Sequence, residues 1–103
     1  MLNYQTMKTA QLATIFGSLG QSTRLEIIKL LAPMSKPHTG MGLPAGQIAR
    51  ALNTPPATLS FHLKDMALRN LLSQRRLGRE IYYQANLALV LEALASLVGE
   101  LEK

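Results

Sequence analysis

Asn53-Thr54-Pro55-Pro56-Ala57-Thr58-Leu59-Ser60-Phe61-His62-Leu63-Lys64-Asp65-Met66 is the stretch on which the fold turns. The prolines end one helical pattern and open another. Leu59, His62, Leu63 and Met66 recur at i, i+3, i+4 and i+7, the spacing of a stripe buried on a core. Ala57, Ser60, Phe61 and Lys64 repeat that spacing on a different face. Small, hydroxyl, aromatic and cationic groups there suit base edges and phosphates rather than a protein interior.

Upstream, Ala45, Ile48, Ala49 and Leu52 fall on one helical face. Pro44 suits the first position of that helix, and Asn53 suits the left-handed residue that ends it. Downstream, Leu71–Leu77 and Glu80–Ala85 read as strands around Gly78-Arg79, with Ile81, Tyr82 and Tyr83 strong strand formers. A helix-turn-helix at about 44–69 and a basic hairpin at about 71–85 follow. Before them, Tyr4–Phe16 reads as a first helix with Met7, Leu12, Ile15 and Phe16 on its apolar side, punctuated by Gly17 and Gly20. Ser22–Ala32 reads as a second, with a wide stripe of Leu25, Ile27, Ile28, Leu30 and Leu31 that should be buried, stopped by Pro33. Pro33 to Leu43 reads as a mobile loop. The expected fold class is mainly α (α+β), one domain over residues 1–103.

The last pattern, Leu87–Leu101, is apolar nearly all round. A domain this small cannot cover that much apolar surface, so a partner chain is expected to cover it. The helices at about 4–16 and 87–101 are the expected dimerisation elements. Their candidate contacts are Leu12, Phe16, Leu87, Val90, Leu91, Leu94, Leu97 and Val98.

The net charge of +5 and pI near 10.0 favour a polyanionic partner. The charge is uneven. Arg50, Lys64, Arg69, Arg75, Arg76 and Arg79 face Asp65 alone, whereas from Asn86 onward Glu92, Glu100 and Glu102 outnumber Lys103. The absence of cysteine excludes disulfides, thiolate metal sites and a cysteine nucleophile. No N-terminal stretch reads as a signal peptide. Leu87–Val98, interrupted by Glu92, is too short to span a bilayer, so a soluble cytoplasmic protein is expected. With no Gly-rich phosphate loop, no nucleophile–His–acid set and no paired carboxylates in a plausible cleft, nothing supports catalysis.

In order and spacing the chain resembles the ArsR/SmtB family of dimeric winged-helix repressors. Four runs carry the resemblance: Leu19-Gly20-Gln21-Ser22-Thr23-Arg24-Leu25-Glu26-Ile27, Gly46-Gln47-Ile48-Ala49, Thr58-Leu59-Ser60-Phe61-His62-Leu63-Lys64 and Arg75-Arg76-Leu77-Gly78-Arg79-Glu80-Ile81-Tyr82-Tyr83. The match extends from about Ala10 to Glu100. It implies a homodimer that binds double-stranded DNA at an inverted repeat and is released by an inducer, often a metal. The family's thiolate site would fall near Pro44–Gly46, where nothing can ligate. Its Asp/His site on the last helix finds only Glu92 and Glu100. No metal and no cofactor is therefore assigned, and the inducer stays unknown.

Carried over residue by residue, the resemblance turns Pro56, Ala57, Ser60 and Phe61 toward the major groove. The family often has Gln and Ser at the first two of these positions, so direct hydrogen-bonded readout is weakened. Ser60 can still bond a base edge and Phe61 can touch a thymine methyl, unless Phe61 packs on its own domain. Lys64 is expected on phosphate. Arg75, Arg76 and Arg79 are expected on flanking backbone or minor groove, Arg79 foremost because Gly78 lets the tip approach closely; the alternative is a merely solvated strand edge. His62, on the core stripe, reads as a half-buried structural histidine rather than a ligand or pH switch. His38 with Met34 and Met41 makes a poor soft-metal site. Arg24 is structural or touches phosphate, and both readings stand. A rival to the repressor is a protein-interaction winged helix with only nonspecific DNA affinity.

Overall fold

The computed structural model describes residues 6–36 and 40–103, so Tyr4 and His38 lie outside the described residues. Helices α1 (Thr9–Leu19) and α2 (Ser22–Leu31) lead into a 3₁₀ turn (Ala32–Met34). Strand β1 (Leu43–Pro44), helix α3 (Ala45–Ala51), helix α4 (Pro56–Leu68), strands β2 (Leu72–Leu77) and β3 (Glu80–Ala85) and helix α5 (Leu87–Leu101) follow. Over the described residues this is a winged helix-turn-helix of five α-helices with a small antiparallel sheet.

The core is continuous from α2 to the sheet. Ile27 and Leu31 of α2, Ile48 of α3, Leu59, Leu63 and Met66 of α4, and Leu71 are fully buried. Each contributes roughly 1.5–3 kcal/mol relative to an exposed side chain. The stripe expected on α4 is therefore its inner face.

Both helices of the helix-turn-helix end in the same way. After α3, Asn53 is left-handed (φ 49°) and donates to the Arg50 carbonyl, while Thr54 N–H reaches back to Ala49 at 3.0 Å. After α4, Asn70 (φ 63°) donates to Ala67, and Leu71 N–H reaches Met66 at 2.9 Å. These are paired Schellman closures, in which asparagine takes the left-handed position usually given to glycine. The second also buries Leu71 against Met66, so β2 starts at Leu72 rather than at Leu71 as the sequence suggests.

Other boundaries also differ from the sequence reading. The first helix begins at Thr9, after an extended Lys8 whose N–H donates to Gln11 Oε1 at 3.0 Å, and it runs through Gly17 to Leu19. Burial of Ile15, Ser18 and Leu19 on the opposite side holds that turn. Pro33 ends α geometry but lies inside the 3₁₀ turn, where its missing N–H costs nothing. Pro44 stands one position ahead of the first helical residue, as the extended N-cap of α3, and β1 pairs Leu43 with Tyr83 and Pro44 with Tyr82. Among the described residues the wing is thus the central and one edge strand of a three-stranded sheet of order β1-β3-β2.

The described part of the segment expected to be a mobile loop is tied down. Gly42 N–H donates to Met34 at 3.0 Å, and Ser35 Oγ accepts from Ala85 N–H at 2.8 Å while donating to Leu31. Gly42 has φ +74°, and a Cβ there would collide with the Tyr83 carbonyl. Glycine is required at this approach.

One polar cluster fixes α4 against α1 and α2. Arg24 is 5% exposed and occupies the buried face of α2, at i, i+3 and i+7 with Ile27 and Leu31. Its Nη1 donates to Ser18 Oγ of α1 at 2.7 Å and to Asp65 Oδ2 of α4 at 2.6 Å; its Nε donates to His62 Nδ1 at 3.0 Å. Arg69 Nε adds a bond to Asp65 Oδ2 at 3.1 Å. Arg24 is structural, which resolves the alternatives the sequence left open. His62 is half-buried on its stripe, as expected. Leu25, placed by the sequence in a buried stripe, is exposed because Arg24 has turned the helix.

The cluster shifts two titrations. The Arg69 and Arg24 hydrogen bonds hold the Asp65 carboxyl below its ordinary range. Burial, aided by the Arg24 charge and opposed by Asp65, lowers the His62 imidazole.

Two outcomes are expected in urea unfolding. Asn70→Val should destabilise the chain by about 1–2 kcal/mol through left-handed strain, whereas Asn70→Gly should not. Asp65→Asn should be less stable than the parent at neutral pH. Because Asp65 is depressed in the folded state, its contribution is complete above the ordinary carboxylate value of 3.8. The gap should hold down to about pH 5 and close as the pH falls through the lowered folded value.

Candidate nucleic-acid interface

Helix α4 presents its second face outward. Pro56, Ala57, Phe61 and Lys64 are exposed and Ser60 is half-buried. Phe61 is 65% exposed, so it does not pack into its own domain. Its ring meets the His62 ring edge-on, centroids 5.7 Å apart at 69°. The first turn adds something the side chains lack. With Pro55 and Pro56 at the start, the Ala57 and Thr58 N–H groups have no intrahelical acceptor and carry the positive end of the helix dipole.

Helix α4 and the wing flank one surface cleft, lined by Lys64 and Leu68 from the helix and Ser73 and Gln74 from β2. Strands β2 and β3 pair in register from Leu72 with Ala85 to Leu77 with Glu80, closed by the two-residue turn Gly78-Arg79. Gly78 has φ +63° and Arg79 is not in the left-handed region, the pattern of a turn that wants glycine first. Arg75, Arg76 and Arg79 are all exposed.

The arginines are not one patch. Side chains alternate along a strand, and directly paired residues share a face. Arg76 pairs with Ile81, on the face that carries buried Leu72, Tyr83 and Ala85; Arg75 pairs with Tyr82 on the other. The two cations straddle the ribbon, which suits a hairpin entering a groove between phosphate rows. Arg76 Nε also leans on the Gly78 carbonyl at 3.4 Å. Among the described residues, Arg50, Lys64, Arg75, Arg76 and Arg79 form no salt bridge, so their charge is available to a partner.

The apolar residues assigned to a dimer divide in two. Leu12 is buried in the chain's own core, and Phe16, Leu87 and Val90 pack partly against it. Leu91, Leu94, Leu97 and Val98 are exposed, and exposed Leu101 extends their row. Helix α5 turns Ala93 and Ser96 inward, and Ser96 Oγ accepts the Met7 N–H at 2.9 Å. Among the described residues no three His, Cys, Asp or Glu side chains converge as a metal site, and no helix is long and apolar enough to cross a membrane.

The sequence reading missed the cluster around Arg24. Its signal was a cation at the helical spacing of Ile27 and Leu31, matched by an acid three residues after His62.

A family model described as a helix-turn-helix domain matches residues 19–75, more than half of the chain. No curated protein sequence matches. Among solved structures, the chain is similar to an ArsR-like transcriptional regulator from Rhodococcus sp. RHA1, at 27% identity and TM-score 0.69 over 85% of this chain and 76% of that one. It is similar to a homodimeric winged helix-turn-helix DNA-binding domain from Mycobacterium bovis, a possible ArsR-family regulator, at 28% identity and TM-score 0.67 over 88% and 80%. HlyU from Vibrio cholerae N16961 shares the fold at 18% identity and TM-score 0.68 over 89% and 97%. The chain belongs to the helix-turn-helix domain family, and it is a DNA-binding transcriptional regulator of the ArsR type.

Proposed function

We propose that the chain acts as a homodimeric transcriptional repressor working in the cytoplasm on an inverted-repeat operator. Helix α4 lies in the major groove and the wing on flanking backbone. The observation that carries the reading is the outward face of α4, exposed and uncommitted beside a hairpin of unpaired arginines. Pro56, Ala57, Ser60 and Phe61 meet bases, Lys64 meets phosphate, and Arg75, Arg76 and Arg79 meet backbone on either side of the wing. A twofold axis sets the two α4 helices roughly 34 Å apart, one turn of duplex.

The dimer is supported by α5 and by the homodimeric Mycobacterium bovis domain to which the chain is similar. Leu87, Leu91, Leu94, Val98 and Leu101 follow alternating steps of four and three, the seam of paired helices. Leu91 is 58% and Val98 52% exposed, an apolar row that a second copy would cover. Phe16 and Leu87 are half-buried against the chain's own core, and Leu12 belongs to that core. The inducer is unidentified.

Anisotropy titration of a duplex from the gene's own promoter, at two salt concentrations, tests the reading. Affinity should fall steeply with salt, with on the order of six to ten phosphates neutralised per dimer. Binding no tighter than to unrelated duplex would favour a protein-interaction module instead. Arg79→Ala should weaken binding to all sequences alike, whereas Ser60→Ala should change base preference; a sequence-selective loss at Arg79 would contradict this division.

Leu94→Glu should convert the dimer to monomer in light scattering and lower operator affinity at least tenfold, because paired half-sites are lost. A dimer that persists would remove α5 from the interface.

A further inference from the structure

We infer that His62 positions the recognition helix for DNA only while its imidazole is neutral and accepts the Arg24 N–H, so that protonation weakens operator binding. The inference rests on α4 being the DNA-reading helix.

The geometry decides the protonation state. Arg24 Nε carries one hydrogen and points it at His62 Nδ1 from 3.0 Å, so Nδ1 must hold a free lone pair and the neutral ring carries its proton on Nε2. A second proton on that ring would set N–H against N–H and bring a cation beside a guanidinium that is 5% exposed. Arg24 cannot withdraw without losing Ser18 and Asp65, to which its Nη1 is already bonded.

The groups around His62 come from three helices. Arg24 faces it from α2 and Asp65 from its own helix α4. Arg69 of α4 and Ser18 of α1 complete the cluster through Asp65 and Arg24. The Asp65 oxygen nearest Arg24 already accepts two donors, which limits what it can offer an imidazolium. A surface cleft lined by Ser18, Arg24, Phe61, Asp65 and Arg69 opens the cluster to solvent, so protons have access. Burial and the Arg24 charge together favour the neutral ring.

The consequence for DNA passes through Phe61. Its ring rests edge-on against His62 and its other side is open. An imidazolium that turns away from Arg24 removes this support and loosens α4 against α2. His62 is thus a positioning residue with no contact to DNA. The direction is diagnostic, because an extra cation near DNA would by charge alone tighten binding as the pH falls.

The test titrates a labelled promoter duplex with the full chain carrying His38→Gln, which leaves His62 as the one histidine, between pH 7.5 and 5.5 at constant salt. Affinity is expected to fall, by less than tenfold for each protonated His62, since an excluded proton costs up to tenfold per pH unit only below the imidazole's own value, which lies under the ordinary 6.5. His62→Asn places an oxygen where Nδ1 stood and cannot titrate; relative to its own value at pH 7.5, its affinity should hold or rise slightly at pH 5.5. Equal pH dependence in the two proteins, or tighter binding of the His62 protein at pH 5.5, would overturn the inference.

A nitrogen-detected NMR titration of the free His62 protein needs no further variant. It should show the Nε2–H tautomer at pH 7.5 and protonation only below pH 6.5, the ordinary value. An Nδ1–H tautomer would also overturn the inference. Failure to bind the promoter duplex at pH 7.5 would instead defeat the DNA reading itself, and the two failures are thereby distinguished.

Discussion

A guanidinium buried between three helices is the constraint on which the placement of the reading head depends. The contacts among Ile27, Leu31, Ile48, Leu59 and Leu63 supply cohesion but little direction, because hydrophobic attraction follows area rather than angle. Helices packed on such contacts alone tolerate small rotations and slides. Arg24 removes that freedom. Its fork needs Ser18 on one side, His62 and Asp65 on the other, and charge-assisted bonds of 2.6 and 2.7 Å hold only over a narrow range of geometry. The cost of burying the cation is met by those partners, and removing one leaves the rest underserved.

The same economy governs the ends of the helices. Asn53 and Asn70 each take a left-handed turn that closes the last carbonyls of one helix and aims the next element. The first sets the angle between α3 and α4, and the second delivers Leu71 to the core and starts the wing. The outward face of α4, the wing and the hydrophobic interior are therefore fixed relative to one another by four local devices: two asparagines, one buried arginine and the glycine turn at the wing tip. Only the wing-tip turn, which carries Arg79, belongs to the surface proposed to meet DNA.

Where an element declares itself through period or punctuation, the sequence is a good guide to its limits. Pro56 opens α4, Glu80–Ala85 is the central strand, and Leu87–Leu101 is the last helix with Asn86 capping it through Leu89 N–H. What escaped was decided by tertiary contact. Strand β1 is two residues long and has no period to read; it exists because β3 offers it a free edge. The helix pattern of α2 was assigned to its leucines and isoleucines, yet Arg24 takes the interior in place of Leu25 because its partners His62 and Asp65 lie 38 and 41 residues away in sequence, beyond any local rule. The wing arginines look like one cluster along the chain and become two faces when the ribbon forms. For the proposed DNA contacts, sequence reasoning supplied residue types and spacing; exposure of Phe61 and Lys64 is the structural contribution.

An unbroken line of contacts joins the surface proposed for the dimer to the helix proposed to read DNA. The exposed row of α5 is backed by Ala93 and Ser96, and Ser96 holds the Met7 N–H just ahead of α1. Farther along α1, Ser18 accepts from Arg24, and Arg24 holds His62 and Asp65 of α4. Each link is a directional hydrogen bond or a packed helix pair, so a shift of α5 is resisted at α4 rather than absorbed between them. In the proposed dimer, the separation and tilt of the two α4 helices would be a property of the assembly as a whole. Pro56 and Ala57 have no side-chain hydrogen bonds to offer bases, so recognition by the proposed dimer would depend more on that separation and tilt, and on how readily a DNA sequence conforms to them, than on any single base contact.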